Sequence, residues 1–120
     1  KPTNALENDG FHPLMTDERP MVAADLSKYY PKRNKGYEAI KAICKEHHIN
    51  LIAMTTPMCM ETINRDYFNH LHEVYPEIRR FENAVTDDKY FSTCGHMNRD
   101  GAIEFTKIVF KTLFKPKKGH

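Results

Sequence analysis

A chain of 120 residues has room for one small domain, and 40% hydrophobic with 28% charged residues is an ordinary globular balance. The formal net charge of +2 is too small to point to nucleic acid or an anionic membrane surface as a partner. No run is apolar for long enough to span a bilayer. The three cysteines, Cys44, Cys59 and Cys94, include no CxxC pair; this odd set argues against a disulfide framework and predicts free, mostly buried thiols.

The chain opens at Lys1-Pro2-Thr3 without an initiator Met or a signal peptide, so a piece of something longer is expected. Its compartment stays open, extracytoplasmic if an export signal belongs to the parent. Residues 1–35 carry no sustained periodicity. Pro2, Pro13, Pro20 and Pro31 punctuate them, between polar clusters such as Asn8-Asp9-Gly10, which predicts an irregular arm or loop. A single short turn of helix is expected around Val22 to Leu26.

From residue 36 to 115 the pattern is α/β. Tyr37, Ile40, Ile43/Cys44 and His47 recur at helical spacing and predict the buried face of a helix over about Gly36 to His48. Ile49-Asn50-Leu51-Ile52-Ala53-Met54, closed by Thr55-Thr56-Pro57, reads as a buried parallel strand running into a loop. Ile63, Tyr67, Leu71 and Val74 predict a second helix that stops at Pro76. Arg80 to Val85 is a short strand candidate, and Asp87-Asp88 is turn chemistry.

The last helix opens at Asn98, a good N-cap, with Asp100 placed to complement the helix dipole. Ala102, Phe105, Thr106, Val109, Phe110 and Leu113 are its expected buried face. After Glu104 come Lys107, Lys111, Lys115, Lys117 and Lys118 without an acid, the pattern of a solvated helix end and a basic tail over 116–120. Arm, α, β, α, β, loop, α is the second half of an open α/β sheet. Two strands are too few for a parallel sheet by themselves, so missing residues or a second copy of the chain are expected to complete it.

Ligands in such sheets bind beyond the carboxyl ends of the strands. Thr55-Thr56-Pro57 and the loop from Thr86 to Met97 lie there, which makes Thr55 and Thr56 candidate substrate-binding residues. With "YEAIKAICKEHHINLIAMTTP", "RRFENAV" and "CGHMNRDGAIEFTKIV" read together, residues 36–114 resemble the C-terminal half of the SGNH (GDSL-like) hydrolases. That family's final block is an Asp-x-x-His-Leu-Asn followed by Gly-Ala and an amphipathic helix. His96, Met97, Asn98, Gly101 and Ala102 fit it.

The resemblance implies a three-layer α/β/α, flavodoxin-like parallel sheet, incomplete in this chain. It also implies hydrolysis or transfer of ester-linked acyl groups on a small molecule or a glycan, with no cofactor and no metal. His96 falls on the family's general base. The orienting acid's position holds Thr93, with Asp87 and Asp88 as candidate substitutes. The family's serine block is absent, since the serines are only Ser27 and Ser92. Leu6-Glu7-Asn8-Asp9 ends in the pair of the family's Gly-x-Asn-Asp block and makes Asn8 a candidate oxyanion donor. On this reading the piece is inactive alone.

Three other readings of the same residues were weighed. Cys44-x-x-His47, His70-x-His72 and Cys94-x-His96 pair metal-ligand types, but no set has the ordered spacing of a structural zinc site. Cys94 lies too close to His96 in sequence to favour good nucleophile–base geometry. Met54, Met58, Met60 and Met97 suit core filling or an adaptable apolar surface. The functional alternative to a hydrolase is a non-catalytic α/β module that binds a ligand or partner and has lost the triad.

Overall fold

A computed structural model describes residues 21–114. Its elements are helix α1 (Lys35–Glu46), helix α2 (Tyr67–Val74), strand β1 (Phe91–Thr93), strand β2 (His96–Met97) and helix α3 (Arg99–Leu113), with a single 3-10 turn at Asp88–Tyr90 before β1. β1 and β2 form a two-stranded antiparallel hairpin.

The expected parallel sheet, and with it the three-layer α/β/α architecture, is not what the chain forms. Residues 49–55 run extended but touch residue 79 at one point only: Arg79 N donates to Ala53 O (2.9 Å) and Thr55 N to Arg79 O (2.9 Å). Arg80–Val85 is not a strand; it closes a turn in which Ala84 N donates to Phe81 O. The physical reason lies in burial. A parallel strand needs cover on both faces, and here Ile49, Leu51 and Ile52 stay exposed. No residue of α1 is buried.

The helix starts were encoded locally. Asn34 caps α1, its side chain accepting from Tyr37 N. Asn98 caps α3 by accepting from Gly101 N at 2.9 Å. α1 ends two residues before the expected His48, which adopts φ 56°. There His48 N reaches Lys45 O and Ile49 N reaches Cys44 O, a left-handed C-terminal closure of the Schellman type. Ile63 falls outside α2; it forms an isolated parallel bridge with Asp25, and Asn64 turns the chain at φ 62°. That bridge and a turn at Ser27-Lys28 occupy the place of the expected helical turn near Val22 to Leu26.

The core is small and lies at the C-terminal end. Cys59, Phe81, Val85, Phe91, Cys94 and Phe105 are buried together, with Met54, Met97, Ile108, Val109 and Leu113 packed against them. α3 meets this core through Gly101 and Phe105. Phe110, placed on the buried face by its spacing, is exposed, and Thr106 is exposed with its hydroxyl bonded to Ala102 O.

Gly101 is required where it stands. A methyl group there would collide with the Tyr90 carbonyl, sitting 3.0 Å from its carbon and closer still to its oxygen. The expectation of free thiols fails at two of three positions. Cys59 and Cys94 form a buried disulfide, and Cys44 alone is free and half-buried. Their pairing spans 35 residues, beyond what sequence spacing shows.

Candidate functional site

Thr93 and His96 flank the two-residue turn Cys94-Gly95 and are cross-strand partners in the hairpin. That register puts their side chains on one face. Thr93 Oγ1 lies 2.8 Å from His96 Nδ1. Both residues are exposed. The residue three before the histidine therefore occupies the orienting position with a hydroxyl where an acid was expected. If the ring donates from Nδ1 to Thr93 Oγ1, Nε2 carries the lone pair and is the nitrogen able to accept a proton.

The hairpin is held at both ends. At its turn, Cys94 is bonded to Cys59 through sulfur, and Cys59 N donates to Cys94 O at 2.9 Å. Thr62 Oγ1 adds a contact to Cys94 Sγ at 3.3 Å and donates to Cys59 O at 2.8 Å. At its far end, Asn98 is buried, its Nδ2 donating to Lys89 O (2.7 Å) and its backbone N to Tyr90 O (2.9 Å). His96 thus sits on a short hairpin clamped by a disulfide on one side and a buried helix cap on the other. Such supports keep an exposed ring in one place.

The other site residues named from sequence lie elsewhere. Asp87 caps the 3-10 turn, accepting from Lys89 N at 3.0 Å. Asp88 faces Glu61. The hydrogen bond shared with Glu61, then burial, then repulsion from Glu61 and Asp87, hold its carboxyl above the ordinary value of 3.8. Asp88 Oδ1 is buried and has no hydrogen-bond partner among the described residues. The ring nitrogen that an orienting acid would take is held by Thr93 instead.

Thr55 is buried and spent on structure, its hydroxyl donating to Glu82 Oε1 (2.9 Å) and accepting from Phe81 N (2.9 Å). Thr56 is exposed. Asn8 lies outside the described residues. Cys94 is excluded as a nucleophile by its disulfide. Among the described residues, metal-ligand types cluster at Cys59, Glu61 and Asp88, and the Cys59 sulfur is already committed to Cys94.

Two charged side chains with structural contacts went unread in the sequence. Glu82 is 3% exposed, held by Thr55 and by Arg80 Nε at 3.0 Å. Arg65 donates to Cys59 O (3.0 Å) and Glu82 O (2.9 Å), tying the loop before α2 to the turn at residues 81–84. Glu82 lies within the expected strand 80–85, but a charged residue in a polar stretch gives no sign of burial. The Thr93–His96 contact did leave a signal. Thr-Cys-Gly-His has the X-Gly centre of a two-residue hairpin, which would have made Thr93 and His96 neighbours.

Comparison with known protein families, with curated proteins and with solved structures finds no match. Among the described residues no helix is long and apolar enough to cross a membrane.

Proposed function

We propose that this chain is the C-terminal part of an SGNH-type hydrolase of ester-linked acyl groups, glycan esters among them, with His96 as the general base. The observation that carries this reading is the 2.8 Å contact between Thr93 Oγ1 and His96 Nδ1, on the hairpin that leads into the Asn98-capped helix. The reading rests on that block and not on a parallel sheet. The serine nucleophile and the oxyanion donors belong to residues outside those described, from the rest of the protein or a second copy of it.

The mechanism follows from the ring geometry. Thr93 holds Nδ1, so Nε2 takes the proton of the attacking serine hydroxyl as the Ser–O bond to the acyl carbon forms. The imidazolium returns that proton to the leaving alcohol, and a water then repeats the sequence to free the acid. A threonine orients the ring but carries no charge to stabilise the imidazolium. The rate is therefore expected to lie orders of magnitude below that of an Asp-supported base.

The same neutral partner favours the second reading, a binding module that keeps the hairpin and has lost the chemistry. Fluorophosphonate labelling and p-nitrophenyl acetate turnover of the intact protein, beside His96→Ala, separate the two. Labelling that His96→Ala abolishes supports the enzyme. Absence of both labelling and turnover sinks it and leaves the module.

The buried disulfide supports maturation in an oxidising, extracytoplasmic compartment, where such bonds persist. The assembly that would complete the site, a homodimer or the remainder of the protein, is part of the same proposal.

A further inference from the structure

The run Ile49-Asn50-Leu51-Ile52-Ala53-Met54 carries no charge and no proline, two of the devices that protect an open strand edge. It is extended and paired on one side only, where Ala53 O and Thr55 N are taken by Arg79. In an extended chain the backbone groups of successive residues point to opposite edges. Those of Asn50 and Ile52 therefore face away from the Arg79 side. Asn50, Leu51 and Ile52 have no hydrogen-bond partner among the described residues. Ile49, Leu51 and Ile52 are nonetheless large apolar side chains, 56%, 40% and 36% exposed.

This run forms one wall of an open groove of about 770 Å³. α1 supplies another wall through Lys41, Cys44 and Lys45, and Leu113 and Phe114 close it at the end of α3. The charge of the groove is uneven. Lys41 is paired with Glu77, Nζ to Oε2 at 3.2 Å. Lys45 and Arg79 also line it, both exposed, and form no ion pair among the described residues. An apolar wall, an open backbone edge and two unneutralised cations thus meet in one place.

We propose that this groove binds an extended peptide segment of another protein, one that alternates apolar and acidic residues, as a strand added along residues 50–52. Strand addition draws affinity from main-chain hydrogen bonds and specificity from alternate side chains. The peptide backbone pairs with the free N–H and C=O groups, its apolar side chains cover the exposed wall, and its carboxylates reach Lys45 and Arg79. A hydrocarbon chain would cover the same wall but strip water from those backbone groups without replacing it. A second copy docked through the same edge would add two more cations to the groove, and the acid on its own wall, Glu77, is already paired. The groove shares no residue with the His96 hairpin, so its occupancy is read by binding alone, whatever the outcome for catalysis.

Fluorescence anisotropy of the full chain with three labelled octapeptides tests the assignment: alternating Glu-Val, alternating Lys-Val, and Glu-Val N-methylated at every residue so that its backbone cannot donate. Saturable binding of the unmethylated Glu-Val peptide alone is expected. Cys44 is the one free cysteine and lines the groove, so the bound peptide should slow its alkylation by iodoacetamide. Lys45→Glu and Arg79→Glu, both at exposed positions, are each expected to weaken binding about five- to tenfold with the circular dichroism spectrum unchanged. Equal binding of the Lys-Val or the methylated peptide, no saturable binding, full affinity in both variants, or unaltered Cys44 alkylation would each overturn it. So would a dimer in sedimentation equilibrium that excludes the peptide, which would assign the edge to a second copy.

Discussion

α1 and α3 carry the same kind of apolar periodicity, yet only α3 buries it. Phe105 packs on Phe81 (ring centroids 5.8 Å apart) within a core that holds the Cys59–Cys94 bond. On α1 the isoleucines 40 and 43 stay exposed, and the half-buried row is Tyr37, Lys41 and Cys44. That row is held by Tyr75 and Glu77 through rings and charges: Lys41 Nζ is 3.2 Å from Glu77 Oε2. Period therefore reports a helix, while burial depends on what lies opposite. One end of the molecule is built like a core and carries the hairpin with His96. The other is a polar and aromatic frame around a cleft.

The largest effect should fall at the core end. Phe91, the first residue of the hairpin, is fully buried, and Phe91→Ala is expected to destabilise by about 3–5 kcal/mol through lost transfer energy and a residual cavity. Thermal denaturation followed by circular dichroism reads this. A loss near that of a surface substitution would mean the core lies elsewhere.

Asn98→Ala comes next. It removes the α3 cap and leaves the Lys89 carbonyl without its donor. The expected loss is about 1–2 kcal/mol in urea unfolding with an unchanged slope.

Asp88→Asn sharpens the comparison through pH. The Asp88 carboxyl is held above its ordinary value by the bond to Glu61, then by burial and like-charge repulsion. A raised carboxylate contributes stability below the unfolded value of 3.8 and loses it as pH rises through the folded pKa. The amide keeps a donor toward Glu61 without a second charge. The variant should be more stable than wild type at neutral pH, and the gain should fade on acidification. A constant difference from acid to neutral pH would show that the Asp88 carboxyl is not held above its ordinary value.

The smallest effect belongs to α1. Ile43→Gln is expected to change stability by no more than about 0.5 kcal/mol, since the side chain is half exposed and belongs to no buried cluster. A loss of several kcal/mol would mean that a partner or other residues of the chain cover this face.

The same contrast explains what the sequence made legible. Asn98 and Asp100 are local signals, and α3 starts where they place it. The run Ile49 to Met54 reads as a buried strand because it is apolar, but a strand is defined by neighbours, and among the described residues only Arg79 pairs with it. The disulfide joins loops 35 residues apart, which no spacing rule reveals. At the site, His96 and Asn98 were visible in one short block. The contact between Thr93 and His96 was not read, because it depends on the hairpin pairing that brings the hydroxyl to the ring. Whether the catalytic assignment survives depends on that hydroxyl.

The most direct test compares kcat/KM for p-nitrophenyl acetate in the intact protein and its Thr93→Asp and Thr93→Val variants. If Thr93 orients the base, Thr93→Asp supplies the missing charge and raises kcat/KM by at least about tenfold, and Thr93→Val lowers it by a similar factor. Rates equal in all three, with His96→Ala also unchanged, would contradict the assignment of His96 as the base.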